Sequence, residues 1–211
     1  MLWITSPPDR ASVAARRTLE DIGATFSTDS DTCAWKIDLA GTATTDDIVR
    51  QLLHVGPIAE LDLSDTYISD SAVVALSSIR TLEVLEMSNT NITDRSLSAI
   101  SCLSRLEVVG LSGTSISESG LRHLDPLLHL WCLDLDGTPI NGSSFRVREW
   151  LQTIEWLFIG HTGIDDTGLD ALRSAIHLEE LWICGTLVSD SAVTRLQSAL
   201  PSCAIHRARK L

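Results

Sequence analysis

Residues placed to do chemistry are few in this 211-residue sequence. The sharpest pair is Asp134 and Asp136 in LDLDGTPI, residues 133 to 140, two carboxylates two positions apart at the end of an apolar run. Paired carboxylates can divide nucleophilic and acid/base work between them. The rest of the chain offers little else: there is no P-loop, no H-E-x-x-H and no G-x-S-x-G, and the six histidines are dispersed. The five cysteines (Cys33, Cys102, Cys132, Cys184, Cys203) are odd in number and form no C-x-x-C, which argues against a disulfide framework and a zinc site. Most are expected to be reduced packing residues.

The Asp-x-Asp-Gly-Thr stretch resembles the nucleophile loop of haloacid-dehalogenase-type phosphatases. That resemblance implies a magnesium-dependent phosphatase in which Asp134 is phosphorylated and Asp136 is the acid/base. It also implies a downstream Ser or Thr, a Lys or Arg balancing the phosphate, and a further acidic pair. The only lysine after Thr138 is Lys210, in the tail. Asp165 and Asp166 imitate the acidic pair, but they fall where a helix is expected to start.

A repeat accounts for the same letters. LDLSDTYI at 61, LEMSNTNI at 85, VGLSGTSI at 109, LDLDGTPI at 133, LFIGHTGI at 157 and LWICGTLV at 181 recur every 24 residues, with IDLAGTAT at 37 one step earlier and Ile205 one step later. A threonine column runs through Thr42, Thr66, Thr90, Thr114, Thr138, Thr162 and Thr186. Each L-x-L has the strand period, which places Leu61 and Leu63, or Leu133 and Leu135, inward. The threonines should lie in the turn after each strand, the hydroxyl donating to a neighbouring carbonyl. Ser69, Thr93, Ser117, Asn141, Asp165 and Ser189 then stand as helix N-caps, usually with an acid at the first helical position. Apolar residues follow at helical spacing, as in Leu97, Ile100 and Leu103. No unit could bury its apolar faces alone, so the units must stack around one core. Asp134 and Asp136 are then outward residues of a solenoid strand.

These motifs, in LEVLEMSNTNI and LEELWICGTLV above all, resemble leucine-rich repeats, with Thr where Asn or Cys is usual. The I-[ST]-D-x-x-L step is similar to the cysteine-containing subclass and to short bacterial repeat proteins. The resemblance implies an α/β fold: a curved solenoid with a parallel β-sheet on the concave face and helices on the convex face. Seven 24-residue repeats are expected over residues 34–202. Residues 1–33 read as a capping helix, with Ser6 before Pro7 as its start and Gly23 as its stop, followed by a hairpin strand. Residues 203–211 read as a cap strand and a solvated basic tail. NGSSFRVREWLQT breaks the pattern, with Arg148 at an apolar position and Gly142 in place of the acid, and predicts a distorted convex segment with Trp150 filling the space.

The formal charge is −12 and only Lys36 and Lys210 are lysines, which disfavours a nucleic-acid or anionic-membrane surface. MLWITSPPDR has no basic n-region, no apolar run approaches membrane-spanning length, and the chain is expected to be cytoplasmic. His129 and His177 share a loop position two repeats apart, about 10 Å by strand spacing, too far for one metal. Neither cofactor nor metal is expected.

The outward strand columns carry what remains. The middle one reads Asp38, Asp62, Glu86, Gly110, Asp134, Phe158, Trp182; the one before it Lys36, Glu60, Val84, Val108, Cys132, Trp156, Glu180; the one after it Ala40, Ser64, Ser88, Ser112, Asp136, Gly160, Cys184. Acids gather at the N-terminal end and aromatics at the other. The acids either invite a basic partner or keep an exposed sheet soluble and unpaired. Trp156, Phe158 and Trp182 either anchor a partner or are covered by a cap or tail segment. The expected function is a non-catalytic scaffold binding a protein or peptide, one with basic groups where it meets the acids, through Trp156, Phe158, Trp182, Asp134, Asp136, Asp62 and Glu86. The family resemblance also suggests a substrate-recognition subunit of a ubiquitin-ligase-like complex, although residues before 34 are short for an adaptor-binding module.

Overall fold

A computed structural model describes residues 10–28 and 33–208. Its strands are β1 (Thr25–Thr28), β2 (Trp35–Asp38), β3 (Ile58–Asp62), β4 (Val84–Glu86), β5 (Val108–Gly110), β6 (Cys132–Asp134), β7 (Trp156–Phe158), β8 (Glu180–Trp182) and β9 (Ala204–His206). They form one sheet in chain order, parallel from β2 to β9, with β1 antiparallel on β2. The registers place residues 24 positions apart opposite one another: Leu85 pairs Val109, Leu133 pairs Leu157 and Leu181 pairs Ile205.

The turn after each strand explains the remaining letters of the repeat. The residue before each threonine is left-handed: Gly41, Asp65, Asn89, Gly113, Gly137, His161 and Gly185 all have φ between 53° and 70°. Asn, Asp, His and Gly are the types that tolerate this region. The hydroxyl of each of the seven threonines then donates to the carbonyl three residues back, as Thr66 does to Leu63 at 2.5 Å and Thr138 to Leu135 at 2.6 Å. Asp-Gly-Thr at 136–138 is one of seven such turns.

On the other face lie α2 (Asp46–Val49), α3 (Asp70–Leu76), α4 (Asp94–Ile100), α5 (Asp166–Ala171) and α6 (Asp190–Ala199). Ser69, Thr93, Asp165 and Ser189 cap α3 to α6 with side-chain oxygens, whereas Thr45 before α2 makes no such bond. The acid at the first helical position does more than meet the helix dipole: Asp70 accepts from the Thr93 N–H at 2.8 Å and hydroxyl at 2.7 Å in the next repeat. Asp46 does the same for Ser69, Asp94 for Ser117 and Asp166 for Ser189. The ladder cannot continue from Gly142, which has no carboxylate. There the backbones close up, and a Cβ on Gly142 would stand 2.8 Å from the Gly168 α-carbon.

The fourth and fifth repeats depart from α-helix. Leu121–Leu124, Phe145–Val147 and Glu149–Gln152 are 3-10 turns. Trp150 fills the core of the distorted repeat, fully buried with its ring 5.8 Å from that of Phe145. Arg148 turns to Asp125 at 2.9 Å. The core is continuous from Ala15 to Cys203.

At the N-terminus α1 (Arg10–Asp21) packs Ala15 and Leu19 on that core and ends before Gly23, whose φ is 102°. The expected start signal at Ser6 and Pro7, and the tail beyond residue 208, lie outside the described residues. Arg207, where that tail begins, is exposed; it pairs with Asp190 and donates to the Val188 carbonyl at 2.9 Å. Of the cysteines, Cys203 is buried and Cys132 and Cys184 are half-buried, as expected of packing residues, whereas Cys33 and Cys102 are exposed. Among the described residues no helix is long and apolar enough to cross a membrane.

Candidate functional site on the helix-free face of the sheet

Alternation along three-residue strands sends one set of side chains into the core and the other to the helix-free face. Leu133 and Leu135 are fully buried. Register aligns Asp38, Asp62, Glu86, Gly110, Asp134, Phe158, Trp182 and His206 in one row, and Lys36, Glu60, Val84, Val108, Cys132, Trp156 and Glu180 in the row beside it.

The acidic end forms a depression of about 310 Å³ between β1 and β4, lined by Lys36, Asp38, Glu60, Asp62, Val84 and Glu86 among others. Lys36 pairs with Glu60 at 2.7 Å. Asp38, Asp62 and Asp134 each turn one oxygen back to the N–H two residues on, at 2.8 Å in every case. Glu86 is longer and leans over Gly110. Burial, then the neighbouring Asp62 and Asp134 carboxylates, pushes its carboxyl up to about 7.

Asp136 is not the outward acid that alternation predicts. It is buried, and its Oδ1 accepts the Gly160 N–H at 2.5 Å. The chain bends away after Asp134, so the next position tucks against the neighbouring turn, where Gly160 leaves room. The other residues of the phosphatase resemblance also serve the solenoid: Asp165 accepts from the Thr167 and Gly168 N–H groups, and Asp166 joins the inter-repeat ladder. On β6 with Asp134, burial and the Glu86 and Asp134 charges push the Cys132 thiol up to about 12, which leaves it a poor nucleophile.

At the other end the three predicted aromatics come together and two further rings join them. Phe158 stacks on Trp182 with centroids 4.2 Å apart and planes within 9°, and His206 stacks on the far side at 4.7 Å. Trp156 meets Trp182 at 6.3 Å and Trp131 edge-on at 5.5 Å. Trp156 is 39% exposed, while Phe158 and Trp182 are half-buried. His206 is held by Glu180 at 2.5 Å. It is legible as the residue one step beyond Trp182. Trp131 is not, because it precedes β6 and strand alternation does not reach it. The cap strand thus supplies the outer ring of the cluster, and Trp156 keeps its exposure.

A family model described as "Leucine Rich repeat" matches residues 78–101. No curated protein matches the chain in sequence. Among solved structures, internalin C2 of Listeria monocytogenes is similar with a TM-score of 0.65 at 22% identity, over 94% of this chain and 82% of that one. Another Listeria monocytogenes internalin gives a TM-score of 0.57 at 15% identity, over 77% of this chain and 51% of that one. A leucine-rich repeat protein of Leptospira interrogans gives 0.56 at 16% identity, over 74% and 44%. The chain thus spans about half the length of the latter two. Its repeating sequence, its unbroken parallel register and these neighbours agree on the fold: the chain is an α/β solenoid of 24-residue units with the leucine-rich repeat architecture.

Proposed function

We propose that the chain is a non-catalytic scaffold that binds a protein or peptide on the helix-free face of its sheet. Trp156, Phe158 and Trp182 serve as apolar anchors, and Asp62, Glu86 and Asp134 select for positive charge. The observation that carries this reading is the ring cluster: large aromatic side chains packed on one another outside the core, with Trp156 39% exposed. Rigid, partly exposed aromatics are what interface hot spots are made of. Asp136 contributes indirectly, by holding the Gly160 turn beneath the cluster. We place the scaffold in a reducing, cytoplasmic compartment, on the odd number of cysteines and the lack of any C-x-x-C.

The test is a pull-down from native lysate with the parent chain and with Phe158→Ala/Trp182→Ala, both shown to be folded by circular dichroism. Partners retained by the parent and lost by the variant are expected; equal retention by both rejects the site. Non-catalysis is checked separately with p-nitrophenyl phosphate and magnesium. The expected result is no hydrolysis that Asp134→Asn removes.

A further inference from the structure

We infer that the occupant of this face is an extended peptide segment carrying two basic side chains six residues apart, an arginine at the aromatic end and a lysine or arginine at the acidic end. This rests on the binding reading above and goes further by naming the ligand's chemistry and spacing.

Two stations on the face suit a cation. One is the depression where Asp62 and Glu86 are register partners on β3 and β4. Their like charges oppose one another, and a bound ammonium or guanidinium relieves that repulsion. The other is the exposed ring of Trp156, since Phe158 and His206 already cover the two faces of Trp182, and it is flanked by two carboxylates: Glu180 is the register partner of Trp156, and Asp134 is the register partner of Phe158. Rings bordered by acids favour a guanidinium, which can stack and hydrogen-bond at once. The molecule uses the same arrangement internally. The Arg16 guanidinium lies 4.9 Å from the Phe26 ring and 4.7 Å from the Trp35 ring, and those two rings meet edge-on at 5.8 Å, much as Trp156 meets Trp182 at 6.3 Å.

The spacing follows from the sheet. From the β3/β4 station to the β7/β8 station is four strand intervals, about 19 Å, and an extended chain rises about 3.3 Å per residue, so about six residues join them. Six is an even number, so both side chains fall on the same side of an extended peptide. Between the stations the row that runs from Lys36 to Glu180 is uncharged, where Val108 and Cys132 stand, and offers a backbone no opposing charge there. The net charge of −12 draws a basic segment in from a distance.

The experiment is selection from a random dodecapeptide display library on the folded parent chain and on Phe158→Ala/Trp182→Ala, followed by calorimetry of the selected peptides as synthetic probes. The expected result is enrichment of basic residues at i and i+6. Such a peptide should lose at least tenfold in affinity on Trp156→Ala, on Asp62→Asn/Glu86→Gln, and when its own basic residues are moved to i and i+3. Peptides that need Phe158 and Trp182 but carry no such pair overturn this inference and leave the binding reading standing. Arginine-rich peptides that bind whatever their spacing overturn it as well. A selection in which no peptide distinguishes the parent from Phe158→Ala/Trp182→Ala overturns both.

Discussion

The carboxylate of Glu86 occupies the space that a side chain at Gly110 would fill: a Cβ there would stand 1.5 Å from Glu86 Oε2. The two are register partners on β4 and β5, so the glycine creates the berth in which Glu86 is partly withdrawn from water. Burial, with Asp62 and Asp134 next, pushes its carboxyl from an ordinary 4.5 up to about 7. The folded chain therefore binds more protons at this position than the unfolded chain between those values. Stability from Glu86 is fully present below pH 4.5 and is lost as pH rises through about 7. Glu86→Gln should raise the melting temperature above that of the parent at pH 8 and leave it nearly unchanged at pH 4, measured by calorimetry at both values.

Two glycines of the helix-free face should respond oppositely to alanine. At Gly110 the obstruction is the far end of a flexible side chain that can swing away, and the lost backbone freedom of the unfolded chain favours the fold. Gly110→Ala should range from neutral to about 1 kcal/mol more stable, with the pH dependence of Glu86 reduced. At Gly160 a Cβ meets the Cys184 carbonyl at 2.9 Å and both oxygens of Asp136. Gly160→Ala should cost about 1–3 kcal/mol. Urea denaturation of both variants decides the contrast.

The inter-repeat ladder predicts an acid-sensitive stability. Asp70 feels burial, which raises its pKa, but hydrogen bonds from Ser96 and Thr93 together outweigh it and hold the group below its usual 3.8. Its contribution is present above that value and is lost as pH falls through the lower folded one. Asp70→Ala should cost about 1–3 kcal/mol at pH 7 by leaving the Thr93 and Ser96 donors without this acceptor. The difference from the parent should shrink toward pH 2, read from denaturation midpoints across the acid range.

The threonine column supports a separate prediction. The Thr138 hydroxyl is buried and donates to the Leu135 carbonyl at 2.6 Å. Thr138→Val keeps the shape and removes the donor, and should cost about 1 kcal/mol in urea denaturation. Because seven turns share the arrangement, Thr90→Val should cost a similar amount; a far larger loss at Thr138 alone would mark that turn as special.

Much of this was legible in the sequence. The 24-residue step fixes register, so the phase of every core strand, the threonine turns, most N-caps and the strand at Ile205 follow from residue identities alone. What was hidden depends on the neighbour one repeat away. Whether an acid faces water is decided by the glycine beside it, Gly110 for Glu86 and Gly160 for Asp136, and reading one strand at a time cannot show this. The reach of Asp70 to Thr93 is hidden for the same reason, since helix-end arguments consider only the acid's own helix. The 3-10 turns at Leu121–Leu124 and Phe145–Val147 escape a periodicity argument because their apolar residues keep spacings compatible with either helix. His206 completes the aromatic stack at a position that the repeat already specifies, whereas Trp131 lies outside any paired strand.

The central claim is that the aromatic cluster on the helix-free face is a binding site. Titration calorimetry of a partner captured by the parent chain, run against the parent and against folded Phe158→Ala/Trp182→Ala, tests it most directly. With two clustered hot-spot rings removed, each worth at least about 1.4–2 kcal/mol, affinity should fall by about a hundredfold or more. Equal affinities for parent and variant would contradict it.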